Sequence, residues 1–156
     1  MQVIEVTNTS LAKDFISVNV LMNQSNPAYI RPLDNEISDV FDPTKNKHFK
    51  HGEIKRWILK DDQYKPVGRI AAFTHDKYIN KGTDFKTGGI GFFDCINDQD
   101  AANLLFNTSR EWLESKGMEA MDGPINFGDR DKWWGLLVEG FDRNPLYGMP
   151  FNPPYY

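Results

Sequence analysis

The chain has 156 residues, of which 40% are hydrophobic and 26% are charged, and its formal net charge is −4. These values are typical of one globular domain and exclude a disordered chain. The negative charge argues against a generic nucleic-acid binder, because affinity for phosphates comes largely from Lys and Arg.

The cysteine count and the hydropathy pattern set the expected environment. The single cysteine, Cys95, cannot form an internal disulfide or hold a zinc ion alone. No stretch approaches the roughly 20 apolar residues of a membrane span, and the first residues lack the basic-then-apolar pattern of a signal peptide. We therefore expect a cytoplasmic protein that has no membrane partner and no nucleic-acid partner.

The first quarter of the chain predicts one strand and two helices. Residues 2–6 alternate in the manner of a short strand, and Thr9 or Ser10 can cap a helix that extends to about Asn23. A shorter helix opens at Pro32, which suits a first-turn position. Four apolar residues recur at spacings of four, three and four, so they share one face of the first helix: Leu11, Phe15, Val18 and Met22.

A basic loop and a hairpin follow. Residues 53–60 and 66–75 are apolar strands separated by a polar turn, which predicts an antiparallel pair. The preceding loop, 44–52, is rich in lysine and contains His48 and His51. Their spacing could bring two imidazoles to one metal ion, but no thiol is nearby. We predict a solvated loop and no metal.

The middle of the chain predicts a strand–helix–strand unit. The strand 88–96 begins with several glycines, which suggests a bulge or a close backbone approach. Asn97 is placed to cap a helix over about 98–115, and residues 118–123 form a short strand. A crossover helix implies that these two strands are parallel neighbours.

The last part of the chain is harder to assign. Residues 132–134 suggest a brief helical turn, and 135–141 suggest a short buried strand or helix. The element order is β–α–α–β–β–β–α–β, which predicts an α/β (α+β) fold with a mixed sheet and helices on its faces. We expect a domain over 1–144, and an extended tail or the start of a linker over 145–156, where proline and aromatic residues are dense.

This order resembles the GCN5-related N-acetyltransferase (GNAT) superfamily. It looks most similar to a bacterial acyl-CoA N-acyltransferase-like group, in which the matching part is commonly followed by more chain. The resemblance therefore implies the N-terminal part of a longer protein, with the last strands of the fold missing or atypical. The local sequences that carry it are Lys-Pro-Val-Gly-Arg-Ile (65–70), Gly-Pro-Ile-Asn-Phe (123–127), Gly-Leu-Leu-Val-Glu-Gly-Phe (135–141) and Asn-Pro-Pro-Tyr-Tyr (152–156).

The resemblance implies a binding site for acetyl-CoA. In that fold the thioester arm lies where two parallel strands diverge, and the pyrophosphate contacts N–H groups at the start of the following helix. The turn of this chain departs from the family pattern, which only Ala101 matches, and the acidic Asp98 and Asp100 leave open that the helix caps itself. The implied cofactor-binding residues are Phe93, Asp94, Cys95, Ile96, Ala101 and Ala102.

Other residues are candidates for catalysis and for the acceptor pocket. Glu139 is a lone acid in an apolar run, so it is either a base with a raised pKa or an outward-facing residue. Trp133, Trp134 and Tyr147 either line an acceptor pocket or belong to the core. Cys95 fits a small buried residue better than a nucleophile, because no local Cys–His pattern accompanies it.

Three functions are compatible with these residues. The first is transfer of an acyl group from acetyl-CoA to an amine on a small molecule or a protein, without a metal. The second is a degenerate, non-catalytic half whose open sheet edge packs against a second copy or a further C-terminal domain. The third, a plain nucleotide-binding domain, is disfavoured because no Gly-x-Gly-x-x-Gly turn follows a strand.

Overall fold

A five-stranded mixed sheet organises the molecule, and the computed structural model describes residues 1–77, 84–128 and 131–156. The elements are β1 (Gln2–Glu5), α1 (Thr9–Asn23), α2 (Asp34–Val40), a 3₁₀ turn (Lys47–Lys50), β2 (Gly52–Lys60), β3 (Pro66–His75), β4 (Thr87–Cys95), α3 (Gln99–Ser115) and β5 (Ala120–Asp122). The strands lie in the order β1-β2-β3-β4-β5; the pairs β1–β2, β2–β3 and β3–β4 are antiparallel, and the pair β4–β5 is parallel. The predicted hairpin, crossover and mixed sheet are therefore confirmed.

Helices cover both faces of the sheet. On one face, Phe15 and Val18 of α1 are fully buried against Ile58 and Ala71, which confirms the predicted stripe. On the other face, α3 packs its apolar side against β2, β3 and β4. Burial of apolar surface on each face is the main favourable term that holds the layers together, and it contributes roughly 25 cal/mol for each Å² buried. The core on the α3 side contains Trp57, Leu59, Ile70, Ile90, Leu105 and Leu113.

Three predicted helix starts are wrong by one or two residues. Asn8, not Thr9 or Ser10, caps α1, and its side chain accepts the N–H of Leu11. The cap of α3 is Asp98 rather than Asn97. Asn8 and Asp98 are extended residues whose short side chains accept an N–H three residues further on, so each of them, and not its neighbour, is the N-cap. The second helix starts at Asp34 rather than Pro32, because Leu33 between them stays extended.

A bulge interrupts β4 where the glycines predicted an irregularity. One residue of β3 lies between the pairs Arg69–Asp94 and Ala71–Gly91, but two residues of β4 do. Phe92 takes a φ of +50° there. The bulge reverses the alternation of side chains, so Ile90 faces α3, whereas Phe92 packs on the α1 side.

The predictions for 132–134 and 135–141 are wrong, since neither stretch forms a helix or a strand. Trp133 and Gly135 both have positive φ, which lies outside the backbone conformations of a helix and of a regular strand. Side-chain and loop contacts fix this segment instead: the N–H of Gly135 donates to the carbonyl of Pro124, and Asn152 bonds both peptide groups of Leu137. The buried Asn152 thus packs the tail onto the domain, while the boundary at 144 stays a prediction.

Candidate functional site

The parallel strands β4 and β5 separate soon after they meet. They pair over Thr87–Gly89 and Ala120–Asp122, and one further bond joins the N–H of Ile125 to the carbonyl of Ile90 at 2.8 Å. Beyond this bond a cavity of about 290 Å³ lies between β4 and the segment that follows β5, and we call it the strand cleft. Its lining includes Gly91, Phe93, Cys95, Ile96, Ala102, Phe106, Gly123, Pro124, Tyr155 and Tyr156, with Asn97, Asp98 and Gln99 at the start of α3.

The edge of β4 presents its peptide groups to this cleft. The N–H of Cys95 donates to the Tyr156 hydroxyl at 2.6 Å, and the Tyr155 hydroxyl donates to the Cys95 carbonyl at 2.8 Å. These peptide groups therefore point away from β3. Because backbone groups of alternate strand residues point the same way, those of Phe93 face the cleft as well. Two tail hydroxyls thus occupy the Cys95 groups that the sequence assigned to a thioester arm.

The start of α3 is closed by its own side chain. The Asp98 carboxylate accepts the N–H of Ala101 at 2.9 Å, so the helix caps itself. Ala101 is fully buried in the core, whereas Ala102 lines the strand cleft. Burial raises the pKa of the Cys95 thiol to about 11, and the charges of Asp98 and Asp94 act in the same direction. The thiol stays protonated and is a poor nucleophile.

A second, narrower cavity of about 60 Å³ lies on the α1 side of β4, and we call it the α1 cavity. Phe93, Pro124 and Leu136 line both cavities, so the two lie next to each other at the edge of β4. Its walls are mostly apolar, and a few polar residues stand among them. The lining includes Ile16, Val20, Tyr29, Ile30, Ile37, Phe92, Trp133 and Phe151, with Asn19, Arg31, Asp34, Arg69, Asp94 and Asn152.

A buried polar network reaches the α1 cavity. Asp94, which is 2% exposed, accepts a hydrogen bond from Arg69 Nε at 2.7 Å and two from Asn19 Nδ2 at 3.1 Å. Tyr29 donates its hydroxyl to Asn19 Oδ1 at 2.8 Å. The Tyr156 hydroxyl lies 3.4 Å from Asp94 Oδ1 and donates toward it. Polar contacts thus run from the α1 cavity to the edge of the strand cleft.

Burial dominates the electrostatics of this network. It raises the pKa of the Asp94 carboxyl, while the Arg69 guanidinium and the Asn19 amide lower it in part. It also raises the pKa of Tyr29 to about 12 and that of Tyr156 further, with Asp94 adding to both shifts. Both tyrosines therefore keep their protons at neutral pH and act as hydrogen-bond donors.

The predicted cofactor residues divide between the two sides of β4. Phe93, Cys95, Ile96 and Ala102 line the strand cleft, and their role in binding a thioester arm stays a prediction. The side chain of Asp94 instead faces α1, because the bulge at Phe92 sets which side each later residue of the strand takes. Ala101 points into the core.

Only one of the predicted catalytic and acceptor residues reaches either cavity. Trp133 is 9% exposed and lines the α1 cavity. Trp134 is exposed and lines neither. Tyr147 is 70% exposed and donates its hydroxyl to Glu36. Glu139 is exposed and lines a separate surface pocket with Asp142 and Arg143, so the structure does not bring the predicted base to either cavity.

Sequence reasoning missed Asn19, Tyr29, Arg69 and Tyr156. Two of them carried a signal: Asn19 interrupts the apolar face of α1, and Arg69 stands inside the apolar strand β3. A buried polar residue is expected to have hydrogen-bond partners, so Asn19 and Arg69 each predict a partner elsewhere in the chain. Tyr156 gave no such indication, because its position depends on the path of the tail.

All three histidines of the chain meet near the 3₁₀ turn. His48 Nδ1 lies 3.1 Å from His75 Nε2, and the rings of His51 and His75 are 5.9 Å apart. Within residues 1–77, 84–128 and 131–156, no group of His, Cys, Asp and Glu is arranged to hold a metal ion. No helix in the described part of the chain has the length and apolar character needed to cross a bilayer.

Two curated proteins match nearly the whole chain in sequence. "Bacterial ceramide synthase" of Caulobacter vibrioides (strain NA1000 / CB15N) is 31% identical over 156 residues, which cover 99% of this chain and 40% of that protein. "Protein YghO" of Escherichia coli (strain K12) is 31% identical over 150 residues, which cover 96% of this chain and 37% of that protein. The chain thus spans about two-fifths of the length of these relatives. No family model matches it.

Solved structures share the fold at low sequence identity. The aminoglycoside N-acetyltransferase AAC(6')-Iy, crystallised with a CoA-containing bisubstrate analogue, superposes with a TM-score of 0.57 and 14% identity, covering 80% of this chain and 79% of that one. An acetyltransferase of the GNAT family from Staphylococcus aureus Mu50 gives a TM-score of 0.53 and 14% identity, covering 81% of this chain and 74% of that one. These similarities establish the fold.

Proposed function

We propose that this chain, which has the fold of the GNAT acetyltransferases, carries a site that transfers an acyl group from a CoA thioester to an amine. One observation carries the proposal: β4 and β5 stop pairing beyond Gly89, and the strand cleft that follows lies next to the α1 cavity at the edge of β4. A donor in one cavity and an acceptor in the other would bring their reacting groups together.

The strand cleft fits the thioester arm of CoA. Phe93 and Phe106 give it an apolar wall, and the peptide groups of Phe93 face it. Those of Cys95 bond to the arm only if it displaces the hydroxyls of Tyr155 and Tyr156. When bound, the thioester supplies an acyl carbon that an amine can attack. The start of α3 does not fit the diphosphate in the same way, because Asp98 already accepts the N–H of Ala101.

Two residues are placed to move protons during this reaction. Asp94 faces the α1 cavity, and burial raises the pKa of its carboxyl, which suits a group that accepts a proton from an amine. Tyr156 stays protonated at the edge of the strand cleft, so its hydroxyl can donate to the departing sulfur. Arg69 and Asn19 hold the Asp94 carboxylate in position.

We propose an amphipathic amine as the acceptor. The α1 cavity is mostly apolar, and Arg31 and Arg69 offset the carboxylates of Asp34 and Asp94. Such a lining suits the amino end of an amine attached to a hydrocarbon better than a polycationic sugar, and in a volume of about 60 Å³ the rest of the hydrocarbon lies outside this cavity. The name of the Caulobacter relative points the same way, since a ceramide is an amide between a fatty acyl group and a long-chain amine.

A coupled assay tests this proposal. We expect the chain, given acetyl-CoA or a long-chain acyl-CoA and a long-chain amino diol, to form the amide and release free thiol. Tyr156→Phe keeps the ring and should lower kcat about 100-fold, the lower bound for loss of a general acid. Tyr147→Phe is the matched control, because Tyr147 lines neither cavity, and it should keep full activity. Absence of amide with all donors and acceptors would contradict the proposal.

A second candidate, a non-catalytic packing domain, has one observation in its favour. Tyr155 and Tyr156 of the chain itself already bond both peptide groups of Cys95. If the tail holds this place permanently, no donor would enter the cleft. In that case acyl-CoA would leave the melting temperature unchanged, whereas a ligand at 100 times its Kd stabilises a protein by about 2.7 kcal/mol.

A further inference from the structure

We propose that the strand cleft selects its donor by the neutral thioester arm alone and makes no favourable contact with the nucleotide end of CoA. An acyl-pantetheine, which lacks every phosphate, should therefore bind as well as the corresponding acyl-CoA or better. This inference rests on the proposed function, because it concerns the donor of that same site. The nucleotide end of CoA would lie at the mouth of the cleft, where α3 starts.

The lining of the cleft is neutral or acidic. Within the described part of the chain, its lining contains no Lys, Arg or His, and Asp98 is its one charged residue. Phosphate groups are usually held by Arg, Lys or unoccupied N–H groups. The apolar walls at Phe93, Ala102 and Phe106 instead suit an uncharged arm that carries an acyl chain.

The helix start at the mouth is already neutralised. A diphosphate would need the N–H groups of the first turn of α3, but Asp98 accepts the one on Ala101 at 2.9 Å. Asp100 adds a second carboxylate to the same turn. Negative side chains there offset the positive end of the helix dipole, so the turn that binds anions in other helices favours none here.

The charge of Asp98 also acts on the Cys95 thiol inside the cleft. The pKa of the Cys95 thiol rises to about 11, and both Asp98 and Asp94 contribute to that rise after burial itself. A carboxylate raises the pKa of a thiol because its negative charge repels the thiolate. A diphosphate at the mouth would face the same repulsion from Asp98.

The repulsion predicts an unusual salt dependence. At a separation of about 6 Å in water, two unit charges interact by roughly one RT, so a diphosphate near Asp98 loses roughly three- to tenfold in affinity. Added salt screens this repulsion. Affinity for acyl-CoA should therefore rise with ionic strength, whereas a site that holds phosphates with cations loses affinity as salt is added.

Titrations of the full 156-residue chain test the inference. The ¹⁵N-labelled chain is titrated with octanoyl-pantetheine, octanoyl-CoA and adenosine 3′,5′-bisphosphate at about 20 and 300 mM salt, two concentrations at which the screening length differs severalfold, while the amides of Phe93 and Cys95 are followed. We expect octanoyl-pantetheine to bind with the same Kd at both salts. At low salt, octanoyl-CoA should bind no more tightly than octanoyl-pantetheine, and its affinity should rise at high salt. The bisphosphate should not shift these amides.

A charge-removing variant makes the test sharper. Asp98→Ser keeps an N-cap side chain, so α3 stays capped, but the negative charge is lost. Its affinity for octanoyl-CoA should rise roughly three- to tenfold at low salt, with that for octanoyl-pantetheine unchanged. Glu111→Gln is the matched control, because Glu111 is exposed farther along the same helix and does not line the cleft. It should change neither affinity.

The outcomes separate this inference from the proposed function. Tighter binding of octanoyl-CoA than of octanoyl-pantetheine, or binding of the bisphosphate, would overturn the inference and leave the acyl-transfer site standing. An unchanged CoA affinity in Asp98→Ser would also overturn it. If neither thioester shifts Phe93 or Cys95, the proposed function itself fails at this cleft.

Discussion

The hydroxyl of Tyr156 accepts the backbone N–H of Cys95 at 2.6 Å, although 61 residues separate the two in sequence. The Tyr156 ring also lies 5.3 Å from the ring of Phe93, and its hydroxyl approaches Asp94 at 3.4 Å. One tail side chain thus contacts three consecutive residues of β4. This contact joins the strand cleft to the buried network on the other face of the sheet.

Tyr156→Phe should weaken the tail at this contact. The variant keeps the ring against Phe93 but leaves the Cys95 N–H without its acceptor, at a cost of about 0.5–1.5 kcal/mol. Hydrogen exchange measured by NMR should show the Cys95 amide exchanging roughly two- to tenfold faster. Tyr147→Phe, in an exposed residue, should leave that rate unchanged. Equal protection in all three proteins would mean that the hydroxyl does not hold the strand edge.

Gly91→Ala should destabilise the chain where β4 and β5 diverge. A Cβ at Gly91 would lie 2.0 Å from the carbonyl oxygen of Ile125, so the backbone itself must move. Overpacking of this kind costs about 1–3 kcal/mol, measurable by urea unfolding. At Gly128 the nearest atom would be the flexible Asn126 Nδ2 at 3.1 Å, so Gly128→Ala should cost less. Equal losses would contradict the close approach.

Asn152 should be needed for the fold of the segment 131–156. Its side chain accepts the N–H of Leu137 and donates to the carbonyls of Leu137 and Pro153. Asn152→Ala leaves the half-buried amide of Leu137 without its acceptor and should cost about 0.5–1.5 kcal/mol. Asn152→Asp has nearly the same shape and keeps the acceptor, but it cannot donate to the carbonyls. It should also destabilise the chain, and thermal unfolding that matches the wild type would exclude the donor role.

The histidine cluster should make stability depend on pH. Burial lowers the pKa of His75 from its ordinary 6.5, and His48, His51 and Lys77 lower it further, while Asp76 opposes the shift. Below pH 6.5 the unfolded chain therefore binds more protons than the folded one, so this contribution to stability is complete above pH 6.5 and is lost as pH falls through the native pKa.

Melting temperatures at several pH values down to about pH 5, just above the range in which carboxylates titrate, test this expectation. The wild type should lose stability over this interval, and His75→Gln, which cannot titrate, should lose less. Identical slopes in the two proteins would show that His75 does not carry the effect.

Local patterns predicted most of the scaffold. The apolar stripe from Phe15 to Val18 and the alternation in 66–75 depend on neighbours within a few residues, so α1 and β3 followed from the sequence alone. The strand–helix–strand order likewise predicted the parallel pair, and the resemblance to the GNAT superfamily implied the gap beside Cys95. The errors, such as Asn97 for Asp98 as a cap, arise because adjacent short polar residues compete and only backbone geometry selects one.

The sequence by itself determined which segments form the sheet and its helices, because hydrophobic periodicity and capping act over short distances. Only the tertiary structure decided where the polar residues act. A single bulge at Phe92 turns Asp94 toward Arg69 and Asn19, and the returning tail brings Tyr156 to Cys95. Such contacts join residues far apart in the chain, so their free energy depends on how the layers pack and leaves no periodic trace in the sequence.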